Sequence, residues 1–161
     1  MARTTTQTTR MNGKRVRIVT RVSLKGTKVT VTDALPEEWE LQSAQVRALR
    51  AMPEYGDRFL LAGDMNAERR GPKARAKAVA TGMTAGEPDV RIYVGGGRLF
   101  LIENKVGKGR LTPDQVARHA SLRRLGFKVE VVRATSTTDA AVQAVALVKA
   151  WLSDHLDKIV I

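Results

Sequence analysis

The stretch Asp89–Lys105 constrains the fold more than any other part of the chain. Val90–Val94 and Arg98–Lys105 are rich in β-branched and large apolar residues and are separated by Gly95-Gly96-Gly97, which reads as a β-hairpin. With the glycines as the loop and Val94 opposite Arg98, Val90 faces Ile102 and Ile92 faces Phe100. That gives one apolar side for a core. Asp89 then faces Glu103, and because side chains alternate along a strand, Lys105 shares their side. A slip of one residue buries the carboxylates and exposes the Val/Ile side, so the register is strongly specified.

The flanking sequence supplies the other layers. Residues 1–13 are Thr-rich and read as a disordered basic tail. From Lys14 the pattern alternates, with Val16, Ile18, Val22 and Leu24 on one face. Lys25-Gly26-Thr27 turns the chain, and Val29 and Val31 follow, so 14–32 is expected to be a β-hairpin extension. Asp33 is placed to cap a helix that starts near Pro36 and runs to Met52, with Trp39, Val46 and Leu49 inward. Residues 57–63 read as a short strand. Pro72 opens a basic helix that Gly82 ends. Thr112-Pro113-Asp114-Gln115 is a capping box that starts a helix running to Leu125, and Gly126 stops it. A strand follows at Phe127–Arg133. The last helix begins near Thr138 with Val142, Val145, Val148 and Leu152 inward. The main order, α, β, β, α, β, α behind a hairpin, predicts a mixed α/β domain over 33–161.

Two carboxylates directly opposite each other repel, and a cation between them removes the conflict. With no Cys and two His, a metal must be held mainly by carboxylate and carbonyl oxygens, which favours Mg²⁺, Mn²⁺ or Ca²⁺. Asp89, Glu103 and the backbone carbonyl of Asn104 can supply such oxygens, and Lys105 can polarise a water beside them. This is equipment for metal-assisted phosphodiester hydrolysis. The competing reading is a surface salt bridge between Glu103 and Lys105, or between Asp89 and a neighbouring Arg.

Charge points to the partner. Lys and Arg number 28 against 16 Asp and Glu, a net +12. A small domain this basic usually meets nucleic acid. Eight of the cations precede Asp33 with no acid among them. Three readings of the 14–32 hairpin stay open: an edge kept soluble by charge, a DNA-contacting arm, or a dimer-building arm. Aromatic residues are too few for a single-strand stacking platform. No apolar run is long enough for a membrane span and no signal-peptide core follows Met1, so a cytoplasmic setting is expected.

Further segments carry a family resemblance. Gly86-Glu87-Pro88-Asp89 followed by Ile102-Glu103-Asn104-Lys105 is the PD-(D/E)XK nuclease signature. Gly107–Gln115, then Leu125-Gly126-Phe127 and Val129-Glu130-Val131, resembles the virus-type replication-repair nuclease (VRR-NUC) domain in its stand-alone bacteriophage form. Glu38–Gln42 resembles that family's first-helix Glu/Gln motif, and Met65–Arg70 its Asn-Gly-Gly-x-Arg segment. Ala67 and Glu68 stand where two glycines are usual, and Glu87 precedes the Pro-Asp where Val or Ile is common.

The resemblance spans residues 37–152. It implies a restriction-endonuclease-like fold, a mixed central sheet flanked by helices, with Asp89 and Glu103 as metal ligands, Lys105 as the catalytic lysine and Gln115 as the family glutamine. Glu38 is the first-helix acid, reaching a second metal or Lys105, with Glu40 a rival. His119 reads as a surface histidine, with a catalytic role as the alternative. The implied activity is a Mg²⁺- or Mn²⁺-dependent DNA endonuclease that acts as a homodimer on branched DNA, such as a Holliday junction, in a bacterial or phage-infected cell. Arg69, Arg70, Lys73, Arg75, Lys77, Lys108 and Arg110, with Arg118, Arg123 and Arg124, are the cations expected to track phosphates. The alternatives are a non-catalytic basic DNA-binding protein and a restriction-type duplex nuclease.

Overall fold

The computed structural model describes residues 2–64 and 71–154, and the chain divides into two units, Met1–Pro36 and Glu37–Ile161. In the first unit, strands β1 (Arg3–Met11), β2 (Lys14–Ser23) and β3 (Gly26–Asp33) form an antiparallel sheet in the order β1-β2-β3. The tail expected to be disordered is therefore an edge strand. It lacks an apolar alternation, so no hydrophobic signal marks it. Its threonines favour extended backbone, and Asn12-Gly13, both at positive φ, close the turn into β2. Leu24, expected on the apolar face, lies in the next turn and is fully exposed.

The second unit is built on a mixed sheet. Its elements are α1 (Glu38–Arg50), β4 (Phe59–Gly63), α2 (Pro72–Ala80), β5 (Val90–Val94), β6 (Arg98–Val106), α3 (Pro113–Arg124), β7 (Lys128–Ala134) and α4 (Thr137–Ser153). The sheet order is β4-β5-β6-β7, with only β6 and β7 parallel. The α/β class with helices flanking a mixed sheet is as expected. The hairpin register is also as expected: Val90 pairs with Ile102, Ile92 with Phe100 and Val94 with Arg98.

One sheet face packs under α1 and α4. Val90, Ile92, Phe100 and Ile102 meet Leu41, Leu49, Ala144, Val148 and Trp151 there, and the Phe100 and Trp151 rings stack at 4.5 Å. The opposite face carries a smaller cluster, Leu101, Leu122 and Val129, beneath α3. Glu103 and Lys105 share that second face by alternation, so α3 roofs the carboxylate side of the hairpin.

Helix details differ from expectation for tertiary reasons. Asp33 ends β3 opposite Val16, and Glu37 caps α1 in a capping box with Glu40. Trp39 is exposed, because the buried stripe of α1 is Leu41, Gln45 and Leu49. In α4 the small Ala140 and Ala144 let α1 approach and are buried, which turns Val142 to solvent.

Candidate active site

The Pro88-Asp89 segment is fixed before β5 begins. The Asp89 carbonyl accepts from Asp64 N at 2.7 Å and from Gln42 Nε2 at 3.1 Å. Gly63 makes room for Gln42, because a Cβ there would crowd its amide at 2.9 Å. Gly86 has φ +77°, and a Cβ on it would collide with the backbone of Asp114 and stand 2.7 Å from Gln115 N. A glycine is therefore what lets the Asp89 loop touch the first turn of α3. Asp89 Oδ2 then accepts from Asn104 N at 2.7 Å, which ties the aspartate to the strand bearing Glu103.

Glu103 is fully buried. Its Oε1 accepts from Gln115 Nε2 and lies 3.0 Å from Lys105 Nζ. The amide oxygen of Gln115, Oε1, accepts from Thr112 N at 2.9 Å, while Thr112 Oγ1 accepts from Gln115 N at 3.2 Å. One glutamine thus completes the capping box and anchors the carboxylate. Lys105 is 4% exposed, and its Nζ also lies 3.0 Å from Glu38 Oε1. Glu40 is committed elsewhere, its Oε2 accepting from Glu37 N at 2.8 Å. The structure therefore places Glu38, not Glu40, at Lys105.

Electrostatics follow from burial. Desolvation, reinforced by the Asp89 charge and opposed by Lys105, pushes the Glu103 carboxyl up to about 7. Desolvation also raises Asp89, against the Asn104 N–H and the Lys105 charge. Burial alone would lower Lys105, but its hydrogen bonds to Glu103 and Glu38 and their charges outweigh that and hold it above the usual lysine value. Lys105 is consequently an ammonium at neutral pH.

His119 is not a surface residue. It is one helical turn beyond Gln115 on the inner stripe of α3 and is fully buried. Its Nε2 lies 3.4 Å from Glu103 Oε2, and neither atom has a hydrogen-bond partner. Burial lowers its pKa, so the ring is neutral. A second residue that the sequence reading missed is Gln45. Its amide exchanges two hydrogen bonds, 2.7 and 3.0 Å, with the Asn104 side chain inside the α1 face. The i, i+4 spacing of Gln45 from Leu41 and Leu49 was the available signal.

Among the described residues, no three His, Asp or Glu side chains converge as a ready-made metal cage. The donors nonetheless suit a hard divalent cation. Two mutually repelling carboxylates meet, Asp89 just before β5 and Glu103 on β6, and Glu103 keeps a buried oxygen with no hydrogen-bond partner. A backbone carbonyl and water would complete such a shell.

The expected DNA-contact residues separate into groups. Lys73, Arg75 and Lys77 are exposed on α2, a helix with no buried residue. Lys108 and Arg110 are exposed in the loop after β6, and Arg124 at the end of α3. Arg118 instead pairs with Glu87 at 2.7 Å, and Arg123 donates to the Val129 carbonyl at 2.8 Å. Glu87 also faces Arg91 at 3.5 Å. Arg69 and Arg70, with the rest of the 65–70 segment, lie outside the described residues.

No protein-family model and no curated protein matches the chain. Solved structures similar to it include two VRR_NUC domain structures. One, described as "VRR_NUC domain", is 18% identical with a TM-score of 0.44, covering 70% of this chain and 94% of that one. The other, "VRR_NUC domain protein", is 23% identical with a TM-score of 0.47, covering 66% and 84%.

Proposed function

We propose that the chain is a VRR-NUC type, Mg²⁺- or Mn²⁺-dependent DNA endonuclease. The observation that carries the reading is the meeting of Asp89, Glu103, Lys105, Gln115 and Glu38 at one end of β6, from three separate elements and a loop. It rests equally on the PD-(D/E)XK motif residues that occupy those positions.

Asp89, Glu103 and the Asn104 carbonyl would hold the cation, with Glu38 at the margin through Lys105. A divalent cation there supplies Lewis-acid polarisation of a phosphodiester and of a water. The residues of the chain supply the rest. Gln115 fixes the orientation of Glu103. Lys105, held cationic between Glu103 and Glu38, offers a hydrogen bond and positive charge to the attacking water and the phosphate, where negative charge develops. Its raised pKa suits it to charge stabilisation rather than to proton abstraction. Lys73, Arg75, Lys77, Lys108 and Arg110 would hold the DNA backbone without reading sequence. Among the described residues no helix is long and apolar enough to cross a membrane, and a cytoplasmic setting fits the reading.

The substrate class in this proposal is branched DNA, cut by a homodimer. Resolving a four-way junction takes two symmetry-related cuts, and a two-fold dimer supplies two sites. The N-terminal sheet offers a self-complementary surface: Met11, Val22, Val29 and Val31 are exposed on one face. The test is cleavage of labelled four-way junction, flap, single-stranded and linear duplex DNA with Mg²⁺, Mn²⁺ or EDTA. Paired metal-dependent cuts in the junction support the reading, and no cleavage of any substrate overturns it. Light scattering should show a dimer that Val22→Asp with Val31→Asp weakens. A wild type that stays monomeric and nicks one strand removes the resolvase part alone.

A further inference from the structure

None of the site residues named above belongs to the N-terminal sheet, which carries its own charge. Strand register sorts its side chains onto two faces. One face holds Arg10, Arg15, Arg17, Arg21 and Lys28, with five threonines between them and no acid. The unit's one acid, Asp33, lies on the other face, paired with Val16 and on the same side as the valines named above.

The arrangement on the basic face is self-repelling. Arg21 stands directly opposite Lys28. Like charges so placed destabilise a sheet. Cations often guard a sheet edge against strand addition. Here Arg17 and Arg21 lie on β2, the central strand, which has no open edge. Edge protection does not account for them; a polyanion laid across the face does.

The chemistry of the face selects among polyanions. Alternate residues on a strand stand about 6.8 Å apart, so Arg17 and Arg21 are two such steps apart, a spacing comparable to that of every second phosphate. Threonine hydroxyls donate to phosphate oxygens. The unit contains no Phe, Tyr or Trp, which leaves no platform for single-strand stacking and no aromatic anchor for a lipid interface. Val19 is the only apolar side chain on the face.

We propose that the Arg17/Arg21/Lys28 face of the N-terminal sheet is a second, sequence-independent binding surface for the phosphate backbone of duplex DNA. The inference goes beyond the nuclease reading and uses none of Asp89, Glu103 or Lys105. It is tested on the full chain in EDTA, by fluorescence anisotropy with a labelled linear duplex. Arg17→Gln, Arg21→Gln and Lys28→Gln together should weaken binding at least tenfold at about 100 mM salt. The slope of log affinity against log salt should shrink by about 2–3, near 0.9 for each phosphate no longer neutralised. Arg3→Gln with Lys14→Gln, on the opposite face, should stay within about threefold. Lys28→Glu gives Arg21 an opposite charge, so its melting temperature should hold or rise while duplex affinity falls.

Wild-type affinity and slope in the triple variant would overturn the proposal, as would an equal loss in the opposite-face pair or undiminished binding by Lys28→Glu. Phosphatidylserine vesicles are a further arm. A triple variant that loses vesicle binding but keeps duplex binding reassigns the face to membrane and overturns the proposal. A chain that binds duplex through this face yet cuts no DNA with Mg²⁺ refutes the nuclease reading alone.

Discussion

Lys105 Nζ lies 3.0 Å from Glu38 Oε1, joining the end of β6 to the first turn of α1 across 67 residues of sequence. The same ammonium is 3.0 Å from Glu103 Oε1. A buried lysine with a carboxylate on either side is charged, oriented and unable to swing away from the carboxylate pair. That geometry decides which first-helix acid belongs to the site, and it makes the charge of Lys105 the first thing to remove.

Lys105→Ala should abolish cleavage while leaving junction affinity within about threefold, since one cation of many is lost. Asp89→Asn should cripple metal-dependent activity in the same assay. Gel-based cleavage paired with anisotropy in EDTA separates the two effects. If both variants cut at the wild-type rate, the site assignment is wrong.

Stability of the metal-free chain should fall as pH rises from about 4.5 to about 7. Glu103 titrates near 7 in the folded chain, against 4.5 ordinarily, so across that window the folded state keeps a proton the unfolded state has lost. The full effect is on the order of 3 kcal/mol. Asp89 is shifted in the same direction. A divalent cation favours the ionised pair, so Mg²⁺ should raise the melting temperature more near pH 8 than near pH 5. A Mg²⁺ effect of equal size at both would count against a metal on these carboxylates.

Gly86 and Gly97 both have positive φ, +77° and +69°, but only Gly86 is crowded by the backbone of α3. Gly97→Ala should cost about 1 kcal/mol of conformational strain. Gly86→Ala should cost at least about 2 kcal/mol, because strain and collision add. It should also lower activity by displacing the loop that carries Asp89 from the first turn of α3. Urea melts rank the two, and equal costs would show that the loop does not rest on α3.

Gln45→Leu leaves the buried Asn104 amide without its partner and should destabilise by about 2 kcal/mol. Adding Asn104→Leu should recover part of that loss, since two apolar groups leave nothing unsatisfied. A double-mutant cycle by chemical denaturation measures the coupling, and strict additivity would deny it.

Features governed by local physics were legible in the chain alone. The triple-glycine loop and the Val/Ile alternation set the hairpin register. That register places Glu103 and Lys105 on one side of β6, with Asp89 leading into the neighbouring strand. Thr112 and Gln115 announced their capping box because its hydrogen bonds span three residues. Features that depend on distant partners emerged only with the assembled fold. Residues 3–11 carry no hydrophobic pattern, and they form a strand because β2 offers a row of backbone groups to pair with. Trp39 and Val142 look like core residues by helical spacing, but α1 and α4 approach each other through Leu41, Ala140 and Ala144 and leave both outside. His119 reads as a polar surface residue until α3 docks on β6 and turns it onto Glu103. Glu38 and Glu40 are nearly equivalent along the chain. Only the fold shows that Glu40 closes a local cap while Glu38 meets a lysine far along the sequence. The division follows range: backbone periodicity and capping act over a few residues, whereas burial and ion pairing are fixed only when separate elements come together.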